Sequence, residues 1–174
     1  MIEKRAEAGD PAGISNLANQ YLRGGMGVKQ DVPRAAELYE RAAELGNKDS
    51  HNTLSCIYAV GMMDVKKDMA KAIRHWEKAA MLGHAVCRHN LGSQEYAYGN
   101  RDLALQHLMI SAKLGYETSL NMIKMMFMNG AATKADYAGA LRGYQNAIEE
   151  MRSPDRDEAI KGLASNMPKL SWEL

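Results

Sequence analysis

The stretch Asp31-Val32-Pro33-Arg34-Ala35-Ala36-Glu37-Leu38-Tyr39-Glu40-Arg41-Ala42-Ala43-Glu44-Leu45-Gly46 decides the fold, because Asp68-Met69-Ala70-Lys71-Ala72-Ile73-Arg74-His75-Trp76-Glu77-Lys78-Ala79-Ala80-Met81-Leu82-Gly83 repeats its pattern 37 residues later. In both, an aspartate is followed four residues on by an alanine, a large aromatic stands four beyond that, and an alanine pair precedes the closing glycine. Working outward, closing glycines stand at Gly9, Gly46, Gly83 and Gly115, separated by 37, 37 and 32 residues. Eight residues after each comes an aliphatic side chain, Leu17, Leu54, Leu91 and Ile123. Twelve after stand Tyr21, Tyr58, Glu95 and Phe127, where the glutamate is a lapse with Tyr96 beside it. The polar-to-alanine step recurs as Asn100/Ala104 and Asp136/Ala140, and the large residue as Leu108 and Tyr144. Self-similarity at a fixed period of this length is the signature of a repeat array, each unit being one supersecondary element that buries its apolar face only by stacking.

Each unit reads as two helices. Asp10-Pro11 offers an N-cap oxygen and a proline at the first helical position, while Gly24, Gly61 and Gly130 suit the residue just past a helix end. The first helix of each unit is expected at about 11–23, 48–60, 85–97 and 117–129. Asp31 and Asp68 then cap a second helix whose apolar residues Ala35, Leu38, Tyr39, Ala42 and Ala43 follow 3.6-residue spacing. Thr133 with Asp136 is a capping-box-like start in the fourth unit. Second helices are expected at about 33–45, 69–82, 101–114 and 134–151. The resulting partition is 1–9 as the end of a preceding helix, repeats at 10–46, 47–83, 84–115 and 116–152, and a C-terminal capping helix and tail at 153–174. On this reading the chain opens partway through a repeat.

Composition narrows the function. The 174 residues are 46% apolar and 25% charged, enough for one domain or a short array burying roughly 70% of the unfolded surface. Lys plus Arg is 22 against 21 Asp plus Glu, so there is no sequence-wide basic field of the kind nucleic acids reward. The longest apolar run, Cys56 to Met63, is eight residues against about 20 for a membrane span. The first residues show no secretory leader, and two cysteines without an Asn-x-Ser/Thr site fit a reducing, intracellular compartment.

The string from Tyr21 through Gly24-Gly25-Met26-Gly27-Val28-Lys29-Gln30-Asp31 to Leu45-Gly46, with Trp76-Glu77-Lys78-Ala79-Ala80-Met81-Leu82-Gly83, resembles a Sel1-like repeat, a relative of the tetratricopeptide helix pair. The resemblance covers roughly residues 1–151 and is closest in the first two units. Unit three lacks about five residues of the loop between its helices, and unit four has Gly139 and Gly143 inside its second helix. It implies an all-α, right-handed α-solenoid whose first (A) helices line a concave face used as a scaffold for protein complexes. Carrying the helical-pair register over assigns to that face Ser15, Asn19 and Arg23, then Asn52 and Cys56, then His89, Ser93 and Tyr96, then Asn121, Met125 and Asn129. Asparagine recurs there, and its amide donates to and accepts from a peptide backbone at once.

Other chemistries fare less well on the same residues. Of the methionines near the end, Met122 and Met126 share a face with Ile123 and read as core, whereas Met125 and Met128 fall on the groove side. His84, Cys87 and His89 lie close in sequence but not on one helical face, which speaks against a metal site. Gly24-Gly25-Met26-Gly27 follows a helix rather than a strand, so it is a turn and no dinucleotide loop. Glu37 and Arg41, four apart, read as a solvated outer face. The expectation is a non-enzymatic interaction module that takes a protein or peptide partner in the A-helix groove, needs no cofactor, does not bind nucleic acid and has no membrane span. A substrate-recruiting arm of a larger protein, such as a ubiquitin ligase, is the alternative; a hydrolase or an RNA-binding repeat ranks lower. An enzyme would show a nucleophile and a base in contact.

Overall fold

The computed structural model describes residues 2–25 and 27–152. Among them the chain forms α1 (Ile2–Glu7), α2 (Pro11–Arg23), α3 (Val32–Glu44), α4 (Lys48–Val60), α5 (Met69–Met81), α6 (Ala85–Ala97), α7 (Arg101–Lys113), α8 (Glu117–Met128) and α9 (Lys134–Met151). The architecture is the expected right-handed α-solenoid. Helices α2/α3, α4/α5, α6/α7 and α8/α9 form antiparallel pairs, and α3 on α4, α5 on α6 and α7 on α8 join them in chain order. The expected C-terminal capping helix, 153–174, lies outside the described residues.

The turns between pairs are set by hydrogen-bond bookkeeping at helix ends. After α3, the Gly46 amide bonds the Ala43 carbonyl at 2.9 Å and the Asn47 amide bonds Ala42 at 3.1 Å, a Schellman closure. Gly46 sits at φ +87°, a conformation costly to any residue with a Cβ. Asn47 then accepts from the Ser50 amide at 2.8 Å through its side chain, so one residue closes α3 and caps α4. The same backbone closure follows α1, α5 and α7. Asp10 takes the capping role for α2, and the His84 ring nitrogen takes it for α6.

The turns inside pairs come in two kinds. In the first two pairs, mutual backbone bonds join Gly25 to Val28 and Met62 to Val65, while the amides of Asp31 and Asp68 reach back to the carbonyls of Tyr21 and Tyr58 at 2.8 Å. Asp31 and Asp68 cap α3 and α5 as expected. In the third pair a Schellman turn replaces the hairpin, with Gly99 bonding Tyr96 and Asn100 bonding Glu95, which is how that unit does without the missing loop residues. Thr133 and Asp136 complete the capping box of α9.

Stacking follows the alternation of small and large residues. Ala35, Ala42, Ala72, Ala79, Ala104, Ala112 and Ala140 are fully buried, and Tyr39, Leu54, Leu108 and Ile123 fill the space between them. Gly92 on α6 marks a close approach within the third pair. A methyl there would stand 2.8 Å from Leu108 Cγ and 3.1 Å from the Ala104 carbonyl oxygen. Gly92→Val is therefore expected to destabilise the chain by about 2 kcal/mol through overpacking, read from urea unfolding; an unchanged midpoint would show that α6 and α7 can separate freely.

Candidate functional site

The residues expected on the A-helix wall come from α2, α4, α6 and α8. Arg23, Cys56, Asn121, Met125 and Asn129 are exposed, and Ser15, Asn19, Asn52, His89, Ser93 and Tyr96 are half-buried. Two of them, Asn19 and Arg23, meet in a cavity of about 420 Å³ lined also by Asn16, Gln20, Gly24 and Gly25 at the C-terminal end of α2. Asn19 donates its amide to the Ser15 carbonyl at 3.1 Å within that helix. The remaining positions do not share this cavity. At the other end, Met126 is fully buried and Met122 half-buried, whereas Met125 and Met128 are 43% and 74% exposed. The methionine run thus divides between core and surface, and Phe127 stacks on Tyr137 with ring centroids 5.9 Å apart.

Several wall residues are committed to joining neighbouring A helices. The Cys87 thiol donates to Asn52 Oδ1 at 3.2 Å, and burial pushes that thiol up to about 12, so it keeps its proton. Further along, Ser111 donates to the Ala85 carbonyl at 2.8 Å and Ser119 donates to Ser111 Oγ at 2.7 Å. Each hydroxyl has one proton, so Ser119 must accept from His89, whose Nδ1 lies 2.9 Å away. Neutral His89 therefore carries its proton on Nδ1 and turns an acceptor Nε2 to Ser93 Oγ at 3.3 Å. Burial lowers the His89 pKa, which favours this neutral form. Ser93 and His89 are the nucleophile-and-base contact an enzyme would need. They stand four apart on one helix, Ser93 also reaches the Met122 sulfur at 3.5 Å, and the chain ends on the backbone carbonyl of half-buried Ala85. What the chain does is orient the wall: α6, α7 and α8 are tied by side chains whose donor directions are determined from His89 Nδ1 through Ser119 and Ser111 to the Ala85 carbonyl.

Sequence reasoning missed one set of positions, five residues after a closing glycine and eight before the next. In the first unit these are Ile14 and Leu38, which line a cavity of about 250 Å³ with Leu17, Tyr21 and Arg34. In the second they are His51 and His75, whose Nδ1 atoms are 2.9 Å apart. In the third they are Arg88 and His107, and Arg88 helps burial to lower the His107 pKa. The repeat register itself carried the signal, since two histidines in matched places of one helix pair must face each other. No group of three or more His, Cys, Asp or Glu able to hold a metal occurs among the described residues. His84, Cys87 and His89 diverge, to the α6 N-terminus, to Asn52 and to Ser119. Glu37 pairs with Arg34 at 2.7 Å rather than with Arg41. Among the described residues no helix is long and apolar enough to cross a membrane.

Residues 11–47 and 49–84 each match the family model of the Sel1 repeat. Among solved structures, a Sel1 repeat protein from Oxalobacter formigenes superposes with a TM-score of 0.70 at 27% identity, covering 86% of this chain and 62% of that one. The protective antigen c5321 of uropathogenic Escherichia coli, which displays an SLR fold, gives 0.67 at 25% identity, with 86% and 32% covered. The immunity protein Pa5087 from Pseudomonas aeruginosa gives 0.53 at 22% identity, with 84% and 55% covered, a likeness of fold alone. This chain thus spans less than two thirds of the length of each. No curated protein matches it. Sel1 repeats are generally protein–protein interaction modules and typically non-catalytic scaffolds.

Ser119 is the keystone of the directional chain. Ser119→Ala leaves the His89 Nδ1 proton and the Ser111 oxygen without their partner in a buried place, so stability is expected to fall by about 1–3 kcal/mol in urea melts. Ser93→Ala, at the open end of the chain, should shift the same midpoint much less.

Proposed function

Because the chain carries Sel1 repeats, we propose that it is a non-enzymatic scaffold that holds an extended peptide segment of a partner protein along the wall formed by α2, α4, α6 and α8. The observation that carries this reading is the polarity of the wall. One end holds a cavity that gathers Asn16, Asn19, Gln20 and Arg23, and the other exposes Met125 and Met128. A polar or acidic end of the segment would meet Arg23 and the amides, the middle would pass Asn52, Cys56, Ser93 and Tyr96, and an apolar end would rest on thioethers that adapt to its shape. Asn121 and Asn129 complete the lining. The four repeats at 10–46, 47–83, 84–115 and 116–152 each supply one rung. Arg23 is the one cation among the eleven wall positions, so a protein segment suits this surface better than a nucleic acid. No cofactor enters the reading. The relatives' greater length supports a second version of it, in which this array is the recruiting arm of a larger protein.

A peptide selected from a displayed library on the wild-type chain supplies the test. Asn19→Ala with Arg23→Ala is expected to weaken its binding at least about tenfold, equivalent to about 1.4 kcal/mol. Met125→Ala with Met128→Ala should weaken it by a similar step, while Arg74→Ala on the exposed face of α5 should leave it unchanged. Equal binding by the wild type and both wall variants would remove the groove reading, and a steep loss of affinity with salt for RNA but not for peptide would replace the partner class.

A further inference from the structure

The most closely built cluster outside the wall lies where α3, α4 and α5 meet. His51, 5% exposed on α4, and half-buried His75 on α5 approach through Nδ1 at 2.9 Å, with ring centroids 5.2 Å apart. Tyr58 of α4 stacks on His75 at 5.7 Å with the ring planes only 15° apart. Its hydroxyl donates to Glu40 Oε1 of α3 at 2.7 Å, and Lys71 Nζ of α5 sits 4.9 Å over its ring. The two imidazoles thus belong to a continuous contact that runs from α3 through α4 to α5. In the first unit the same two places hold Ile14 and Leu38, so packing alone does not require histidine here.

Two nitrogens at this separation make a hydrogen bond only if one carries a proton and the other presents a lone pair. A neutral pair satisfies that condition, and so does a pair with a single added proton on an outer nitrogen. A pair in which both rings are imidazolium points two N–H groups at each other and cannot. We propose that the His51–His75 contact is a proton-operated latch, which holds α5 on α4 while at least one ring is neutral and releases the second helix pair when both are charged. The charged groups around it favour release. Lys71 and Lys78 from α5 add positive potential, and the opposing charge of Glu40 from α3 is already occupied by Tyr58. From α6, on the other flank of α5, Arg88 is directed to the Ala80 carbonyl at 2.8 Å. The same lysines make the pair a poor cation site. Because the latch lies in the second of four stacked pairs, opening it would disturb the middle of the wall.

The sign follows from linkage. Burial, His51 and Lys78 bring His75 from the ordinary 6.5 to about 4, and burial with Lys78 lowers His51 as well. The unfolded chain therefore takes up protons that the folded chain refuses, so the contact's stabilisation is present above about pH 6.5 and is lost progressively as pH falls toward 4. The test is urea unfolding of the full chain at pH 7.5 and pH 5, comparing wild type with His51→Ile/His75→Leu, which installs the first unit's pair. The wild-type midpoint should fall on acidification, and the variant should lose less than half as much, because His84, His89 and His107 remain in both. Equal losses would overturn the latch. If the variant does not fold, the wild type decides: ring nitrogen spectra should show His75 titrating well below 6.5, and amide protection in α4 and α5 should drop at least about tenfold more than in α8 and α9 between the two pH values. Both rings titrating independently near 6.5, or uniform loss of protection, would overturn it too.

Discussion

Everything in this molecule rests on how closely two helices may approach. At the contacts between consecutive helices stand alanines with no exposed surface, Ala42, Ala79 and Ala112 among them, and Gly92 lets α6 come so near α7 that not even a methyl would fit. A close approach leaves holes elsewhere along the rods, and Tyr39, Leu54 and Leu108 fill them. Interiors tolerate neither voids nor overlaps, so small and large positions must stay in step from unit to unit. Where they do, the pairs stack in chain order and the first helices of the pairs form one wall.

The turns convert that stacking into a fixed direction of growth. A Schellman closure followed at once by the start of the next helix leaves the chain little slack between one pair and the next, and the same backbone closure recurs after α1, α3, α5 and α7. The turns inside the pairs are less restricted. Two use a small hairpin and two a Schellman turn, the third pair's being five residues shorter than the hairpins, and the helices of the first three pairs still pack alike. Tolerance inside the pair and rigidity between pairs is what lets an array absorb a deletion in a loop and keep its wall continuous.

Polar side chains play two parts on this scaffold. Some of the wall is open, such as Arg23 and Asn121, and some is spent on order, such as Asn52 with Cys87 and the chain from Ser93 to Ala85. An ordered wall would lose less conformational entropy on meeting a partner, which is the physical benefit of preorganisation. The facing pair behind the wall changes character along the array, from apolar in the first unit to two histidines in the second and arginine with histidine in the third. One register position is thus used for packing in one unit and for titratable contacts in the next.

From residues alone it was possible to read the helix pairs, their caps and the positions of their glycines, because these follow from local rules: Asp31 and Asp68 can cap only what begins beside them, and Ala35, Leu38, Tyr39 and Ala42 fall on one stripe only in a helix. The small-to-large pattern likewise announced stacking, since it has no purpose in an isolated hairpin. Side-chain partners across the stack were another matter. Asn52 and His89 looked like free groove residues, but each lies six residues after its closing glycine, opposite a residue four after the next, and that pairing exists only once the units are superposed. The methionines were the exception, since helical spacing alone already put Met126 with the core and Met128 on the open side, where it stands 74% exposed. Local chemistry settles where helices start and stop; which atoms meet between units depends on distances across the stack, and only the folded chain sets those.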